Sequence, residues 1–427
     1  MVTRKQSNPP EAPIEAQHRV QQTVTDMIAT IRERGEDAVR EYSAKLDGWD
    51  PDSFRLTDEK VEELVASVPD RIIEDITFCQ TQIRTFAEAE RASMTDVEIE
   101  TISGVRLGHR HIPVRNVGSY VPGGRYPMVA SAHMSVVTAK VAGVERVVSC
   151  TPPMNGEAPA VTIAAMHLAG ADEIHILGGV QAIASLALGM ESMERVDLIV
   201  GPGNVYVAEA KRQLFGEIGI DLPAGPTEIL VIADVEADPV IVAADLLGQA
   251  EHGPTSAAVL ITTSDDLATA VLAEIDRQLV DLPTADVASV SWRDFGEIRV
   301  VSSLDEAVSE ANALAFEHVE VLTTEPRCFL ERLDNYGSLF LGEETTVAYG
   351  DKTIGTNHIL PTAGAARYTG GLWVGKFLKT VTYQEATAEA SVQIGEVCAR
   401  QCRIENFEGH ARTCDLRVEK FSARSAA

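Results

Sequence analysis

VDLIVGPGNVYVAEAKRQLFG, residues 196–216, is the stretch on which the fold turns. A run of Val, Leu and Ile too short for a helix breaks at Gly201-Pro202-Gly203, and a segment with helical spacing follows. Strand, tight turn and helix in that order form half of a βαβ unit. The same rhythm recurs on both sides. RVVSCTPP (146–153), EIHILGG (173–179), EILVIAD (228–234) and AVLITTS (258–264) are short β-rich runs, and they alternate with Ala-rich helical segments such as APAVTIAAMHLAGA (158–171). Such alternation means mainly parallel sheets covered by helices.

Working outward, the texture changes at both ends. Residues 18–95 repeat apolar side chains at three and four, as in RVQQTVTDMIATIRERGEDAVREYSAKLDG (19–48), and read as helices. Beyond 375 the chain becomes polar with helical periodicity. The expected fold class is therefore α/β: two Rossmann-like parallel-sheet domains with a helical N-terminal segment and a helical C-terminal tail. We place a mobile arm at 1–20, a discontinuous first domain at 21–120 with 230–372, a second at 121–229, and a dimerisation tail at 373–427.

Bulk properties exclude several classes of function. A net charge of −28 disfavours the phosphate backbone of nucleic acids and anionic membrane surfaces. No apolar run reaches the roughly 18 residues of a membrane helix, and the proline- and glutamate-containing N-terminus lacks the apolar core of a signal peptide. Six cysteines stand without a C-x-x-C pair, which reads as reduced thiols in a cytoplasm. Cys398 and Cys402 share a helical face and are expected only to pack.

Two glycine turns are candidates for a nucleotide. In the opening stretch Tyr206 occupies the third position of G-x-G-x-x-G, so that signature is incomplete. SYVPGGRYP (119–127) offers backbone donors at Gly123 and Gly124 and a ring at Tyr120, though a sharp inter-domain loop has the same spacing.

Chemistry concentrates around the histidines. In GQAEHGP (248–254), Gln249 and His252 share the last turn of a helix stopped by Gly253 and Pro254, with Asp245 further back on that face. Other histidines among polar neighbours are His318 in FEHVEVLT, His358 with Asp351 in YGDKTIGTNHILPT, and His410 in ENFEGHARTC. These supply imidazole, amide and carboxylate donors but no thiolate, a set suited to a catalytic Zn²⁺. Glu317 and His318 are the natural acid–base pair. On residue chemistry alone the same set would also serve a zinc hydrolase.

The ordered blocks YVPGG, GGVQAIA, VGPGN, AGPTE, DLLGQAEHGP, EHVEVLT, GDKTIGTNHILPT and EGHA resemble the histidinol dehydrogenase family from about residue 20 to 417. That resemblance implies a zinc- and NAD⁺-dependent enzyme that oxidises a primary alcohol through an aldehyde to a carboxylate, using two NAD⁺. It implies zinc on Gln249, His252, Asp351 and His410, acid–base work for Glu317 and His318, and NAD⁺ contacts from Tyr120, Gln181 and Asn204. Thr227, His318, Glu405 and the zinc ligands are the implied substrate contacts, and His358 is a further candidate. It also implies a homodimer with shared active sites, acting on a small polar alcohol. Two departures stand out: Thr227 replaces the usual serine of AGPSE, and Phe316 replaces the proline before Glu317. The runs RYPMVASAHMSVVTAK (125–140) and AARYTGGLWVGKFLKTVTYQ (365–384) are similar to the branch that oxidises 2,3-dihydroxypropane-1-sulfonate to 3-sulfolactate, rather than L-histidinol. A sulfonate needs hydrogen-bond donors, for which His133 and Ser135 are the candidates.

Overall fold

The stretch 196–216 folds as strand Leu198–Val200, a turn, and helix Val205–Leu214. Gly201 sits at φ 116°, and a Cβ there would lie 2.0 Å from the Tyr120 carbonyl oxygen, so only glycine passes this point. The computed structural model describes residues 1–9, 14–123, 127–222 and 225–425. They divide into two compact units, one of residues 1–90 with 114–377, the other of 91–113 with 378–427.

The larger unit holds two sheets. In the first, all parallel, strand Asn116–Tyr120 is flanked by Arg146–Thr151 and then Glu173–Ile176 on one side, and by Leu198–Val200 and then Gly219–Ile220 on the other. Chain order thus reverses between Asn116–Tyr120 and Leu198–Val200. In α/β sheets the crevice at such a switch, beyond the carboxyl ends of the strands, is where ligands bind. The second sheet repeats the pattern. Strand Glu228–Ala233 is flanked by Ala257–Thr262 and then Gly296–Val300, and on its other side by His318–Leu322 and then Ser338–Leu341. Its central strands are continuously apolar, as strands covered on both faces must be.

Three expectations about the chain's organisation need revision. Residues 2–5, placed in a mobile arm, form strand Val2–Lys5, paired antiparallel with Gly296–Val300. Residues 21–120 were expected to join the 230–372 domain. Instead helices Ile14–Arg34 and Glu36–Asp47 bury Val24, Ile28, Ile31 and Val39 in one core with Ile183, Leu186, Val207 and Leu214, beside the five-stranded sheet. An amphipathic stripe specifies that a helix is covered, and leaves open which sheet covers it. The tail is also not wholly helical. In the smaller unit Leu378–Ala386 pairs antiparallel with Val105–Pro113, which pairs with Val97–Ile102. Eight of its nine residues are exposed, so it shows none of the alternation that marks a half-buried strand. Helices Ala388–Ile404 and Glu408–Ser425 follow as a hairpin. Among the described residues no helix is long and apolar enough to cross a membrane.

Candidate active site

Helix Pro239–Ala250 begins at Asp238, whose side chain accepts from the Val240 N–H, with Pro239 in the first turn. Its buried face is Val242, Ala243, Leu246, Leu247 and Ala250, and Gln249 is the polar residue inserted into it. The helix runs back against the strands, so its end lies at the amino ends of Glu228–Ala233 and His318–Leu322. There Thr227 precedes one strand, Glu317 precedes the other, and His318 begins it.

The side chains form a directed chain of hydrogen bonds. The Gln249 amide N–H donates to Thr227 Oγ1, and the Thr227 hydroxyl donates to Glu317 Oε2. Glu317 Oε2 also accepts from the Glu228 N–H at 3.1 Å. With its amide nitrogen committed, Gln249 keeps its oxygen as a free donor of electrons. Threonine in place of serine keeps this relay intact, since the hydroxyl both accepts and donates.

His318, 2 % exposed, is held between two carboxylates. Its Nδ1 lies 3.1 Å from the Glu228 carbonyl oxygen, an acceptor only, so that nitrogen carries the hydrogen. Its Nε2 has no hydrogen-bond partner, although Asp351 Oδ1 is 3.5 Å away. Burial opposes the charged imidazolium, but Glu317 and Asp351 outweigh it and push the His318 pKa up to about 9. Burial likewise works against ionised Asp351, yet the neighbouring His318 and the charge of His358 bring it to about 2. Glu317 is raised by burial, with His318 and Thr227 opposing.

A cavity of about 110 Å³ opens on this group, lined by Thr227, His252, Glu317, His318, Asp351 and His358 among others. His252 Nδ1 faces the Gly248 carbonyl oxygen at 3.2 Å, which leaves Nε2 with the ring's lone pair. Gln249, His252 and Asp351 thus offer an amide oxygen, an imidazole nitrogen and a carboxylate at the carboxyl end of a helix, where the helix dipole favours a cation. This donor set fits a divalent metal of borderline softness. His358 lines the cavity, but both its ring nitrogens are engaged, Nδ1 with the Asp351 carbonyl oxygen at 3.0 Å and Nε2 with Ser131 Oγ at 2.9 Å. Burial, ahead of the opposing Asp351, lowers its pKa to about 4, so it stands neutral. Glu405 and His410 belong to the smaller unit, where Glu405 caps the first hairpin helix and the His410 ring packs on Phe407 at 5.4 Å; both are exposed.

The candidate dinucleotide residues gather at the switch point of the five-stranded sheet. Tyr120 ends its first strand and its hydroxyl accepts from the Gly179 N–H at 3.1 Å; burial pushes its pKa up to about 12. Gln181 is fully buried; its amide nitrogen donates to Asp47 at 2.8 Å while its oxygen has no partner. Asn204 caps helix Val205–Leu214 by accepting from the Tyr206 and Val207 N–H groups. Pro202 and Gly203 of the same loop also line the cavity, so the carboxyl edge of one sheet and the amino edge of the other meet there. Gly124 lies outside the described residues.

Two expectations fail here. His133 and Ser135, proposed as donors to a sulfonate, point into the core: His133 Nδ1 meets Gln80 Nε2 at 3.1 Å, and Ser135 Oγ bonds Ser119 Oγ and the Ser131 carbonyl oxygen. Both are buried, and burial lowers the His133 pKa to about 4. Helix Val129–Ala142 is apolar nearly all round, so its polar residues are satisfied inside. Sequence reasoning missed Glu228, whose backbone orients both catalytic candidates, and Asp47. It also missed Lys211 and Asp221, a buried pair that clamps the glycine loop through the Gly201 carbonyl oxygen (2.8 Å) and N–H (2.7 Å).

Comparison with known proteins places the fold in a family. The profile of the family described as "Histidinol dehydrogenase" matches residues 11–418. A histidinol dehydrogenase homolog of Shouchella clausii is 62% identical over 403 residues, covering 94% of this chain and 95% of that one. The sulfopropanediol 3-dehydrogenase of Ruegeria pomeroyi is 47% identical over 406 residues, covering 94% and 93%. The crystal structure of histidinol dehydrogenase from Elizabethkingia anophelis superimposes with a TM-score of 0.90 at 31% identity, over 97% of this chain and 98% of that one. With these matches spanning nearly its full length, the chain belongs to the histidinol dehydrogenase family and is an oxidoreductase.

Proposed function

We propose that this protein is a zinc- and NAD⁺-dependent dehydrogenase that takes a primary alcohol through its aldehyde to a carboxylate, with 2,3-dihydroxypropane-1-sulfonate as substrate and 3-sulfolactate as product. The observation that carries the reaction class is His318, a ring lining the cavity: its Nδ1 is fixed by a carbonyl with Glu317 at 3.4 Å, and its Nε2 is buried and without a hydrogen-bond partner, 3.5 Å from Asp351. Membership of an oxidoreductase family sets the hydrolase alternative aside.

Gln249, His252, Asp351 and, from the smaller unit, His410 are the residues that would hold zinc; Tyr120, Gln181 and Asn204 would hold NAD⁺. Bound zinc would polarise the substrate oxygen, and bound NAD⁺ would accept the hydride. His318 Nε2 takes the hydroxyl proton, and the imidazolium so formed is stabilised by Glu317 and Asp351, while the Glu228 carbonyl keeps the ring oriented. With Asp351 engaged as a ligand to zinc, its carboxylate would be drawn from His318 and the imidazole pKa would fall towards neutrality, where a base works best. Glu317, anchored through Oε2, has Oε1 to remove a proton from the water that adds to the aldehyde carbon. The sum is balanced: alcohol, two NAD⁺ and one water give carboxylate, two NADH and three protons.

For the substrate, support comes from the 47% identity to a sulfopropanediol 3-dehydrogenase, against 42%, 40% and 41% to three histidinol dehydrogenases. We further propose that the enzyme is a homodimer whose sites draw Glu405 and His410 from the partner. NADH formation with dihydroxypropanesulfonate and with L-histidinol, side by side, tests the reading. Two NADH per sulfonate consumed and weak histidinol turnover are expected, and both rates should vanish on exhaustive chelation. Efficient histidinol oxidation overturns the substrate; full activity without metal overturns the chemistry.

A further inference from the structure

The smaller unit brings together three thiols that the oxidation of an alcohol does not use. Cys398 and Cys402 lie one turn apart on helix Ala388–Ile404, and Cys414 faces them from helix Glu408–Ser425. All three sulfurs lie within 4.8 Å of one another, and the Cys398 and Cys402 sulfurs are 3.9 Å apart. The turn between the helices is built to hold them so. Asn406 takes the left-handed conformation at φ 60°, the Phe407 N–H donates to the Cys402 carbonyl oxygen at 2.8 Å, and the Asn406 N–H donates to that of Arg403 at 3.1 Å. These two bonds are a Schellman stop. Arg403 then reaches across to Glu408 and Asp415, the residue next to Cys414. Further along, a Cβ on Gly395 would stand 2.8 Å from Val418 Cγ2, so the glycine lets the second helix come close enough for Cys414 to meet the other two.

Packing does not account for the cluster. Cys398 is exposed and the other two are only half-buried, whereas a structural thiol is normally among the most buried residues. The spacing instead matches shared coordination. With metal–sulfur bonds of about 2.3 Å, thiolates on one ion stand about 3.8 Å apart in tetrahedral and about 4.0 Å apart in trigonal geometry. The Cys398–Cys402 pair already has that separation, and the third sulfur needs to close by less than about 1 Å.

We propose that Cys398, Cys402 and Cys414 form a three-thiolate site for a thiophilic d¹⁰ cation, Zn²⁺ with water as its fourth ligand or Cu⁺ in a trigonal site. Binding releases up to three protons, one from each thiol, and involves no electron transfer. The site joins the two helices on either side of the turn that begins at Glu405, and His410 lies in the first turn of the second helix.

Cobalt(II) is the probe, because thiolate-to-cobalt charge-transfer absorption reports sulfur ligands and the Gln249, His252 and Asp351 set has none. Full-length protein, reduced with a phosphine and stripped of metal by chelation, is titrated with Co²⁺. A thiolate charge-transfer band that saturates is expected, since cobalt at the sulfur-free set adds none. It should be lost in the triple variant Cys398→Ser, Cys402→Ser, Cys414→Ser, diminished in Cys398→Ser, whose exposed position makes misfolding a poor explanation, and retained in Cys328→Ser. Competition with Zn²⁺ and with Cu⁺ identifies which ion displaces cobalt at the lower concentration. No band in the reduced protein, a band that survives the triple substitution, or one abolished by Cys328→Ser would overturn the site.

Discussion

Glu317 and His318 are neighbours in the chain with different tasks in the proposed reaction, and substitution should separate them. Glu317→Gln removes the group that activates water, so aldehyde oxidation should fall by roughly 10²–10⁴-fold while alcohol oxidation falls less. His318→Ala should depress both half-reactions, as followed by single-turnover NADH formation from alcohol and from aldehyde. Equal losses in the two variants would remove the division of labour. A second test concerns Glu228, whose carboxyl is pushed up to about 7 by burial and then by the charge of Glu317. A carboxyl whose folded pKa lies above its unfolded value near 4.5 stabilises the fold fully below that pH, and its contribution is lost as pH rises through 7. In metal-free protein Glu228 should therefore contribute a loss on the order of 3 kcal/mol between about pH 4.5 and 7, and Glu228→Gln should remove that contribution from the pH dependence in denaturant titrations. A slope unchanged by the substitution would show that Glu228 titrates normally. Glu317, His318, His252 and Asp351, which line one cavity, could be picked out in the sequence because its few histidines stand among polar, ligand-like neighbours. Glu228 could not, since it acts on His318 and Glu317 through its backbone.

The turn between Leu198–Val200 and Val205–Leu214 shows how a loop can be rigid without a core of its own. Gly201 presses on the Tyr120 carbonyl oxygen, and its two backbone groups are held by Lys211 and Asp221, both buried. Breaking a buried ion pair from one side leaves an uncompensated charge, so Lys211→Met should cost about 3–5 kcal/mol in urea unfolding. Lys211→Met with Asp221→Leu should recover part of that loss, because no buried charge then remains. A cost below about 1 kcal/mol for the single variant would contradict the clamp. The strand, the turn and the helix could all be read from residue order. The clamp left only a faint trace, Lys211 standing between Val207 and Leu214 on an otherwise apolar stripe. The strand Leu378–Ala386 left none, because its exposed faces remove the alternation that would have marked it.

Residues proposed to act together at one site are distributed over both units, Glu317 and His318 in the larger and His410 in the smaller. If the partner supplies His410, mixing His318→Ala chains with His410→Ala chains should restore roughly a quarter of wild-type activity, since half the dimers are mixed and each mixed dimer has one intact site. Differently tagged chains verify exchange; exchange without recovered activity would place His410 in its own subunit's site or outside catalysis. The two sheets of the larger unit bear on the molecule's origin. Leaving aside the antiparallel edge strand, both place their first strand at the centre, the second and third to one side, and the fourth and fifth to the other. No sequence repeat accompanies this. A shared permutation of parallel strands without shared sequence is what remains when one ancestral five-stranded unit is copied in tandem and the copies drift apart. In this chain the two sheets are put to opposite uses: one presents its carboxyl edge to the cavity and the other its amino edge. On the proposed assignment of sites, changes that retune recognition of the alcohol can accumulate on one sheet while the dinucleotide half is left alone, a route by which a single lineage can take up new alcohols.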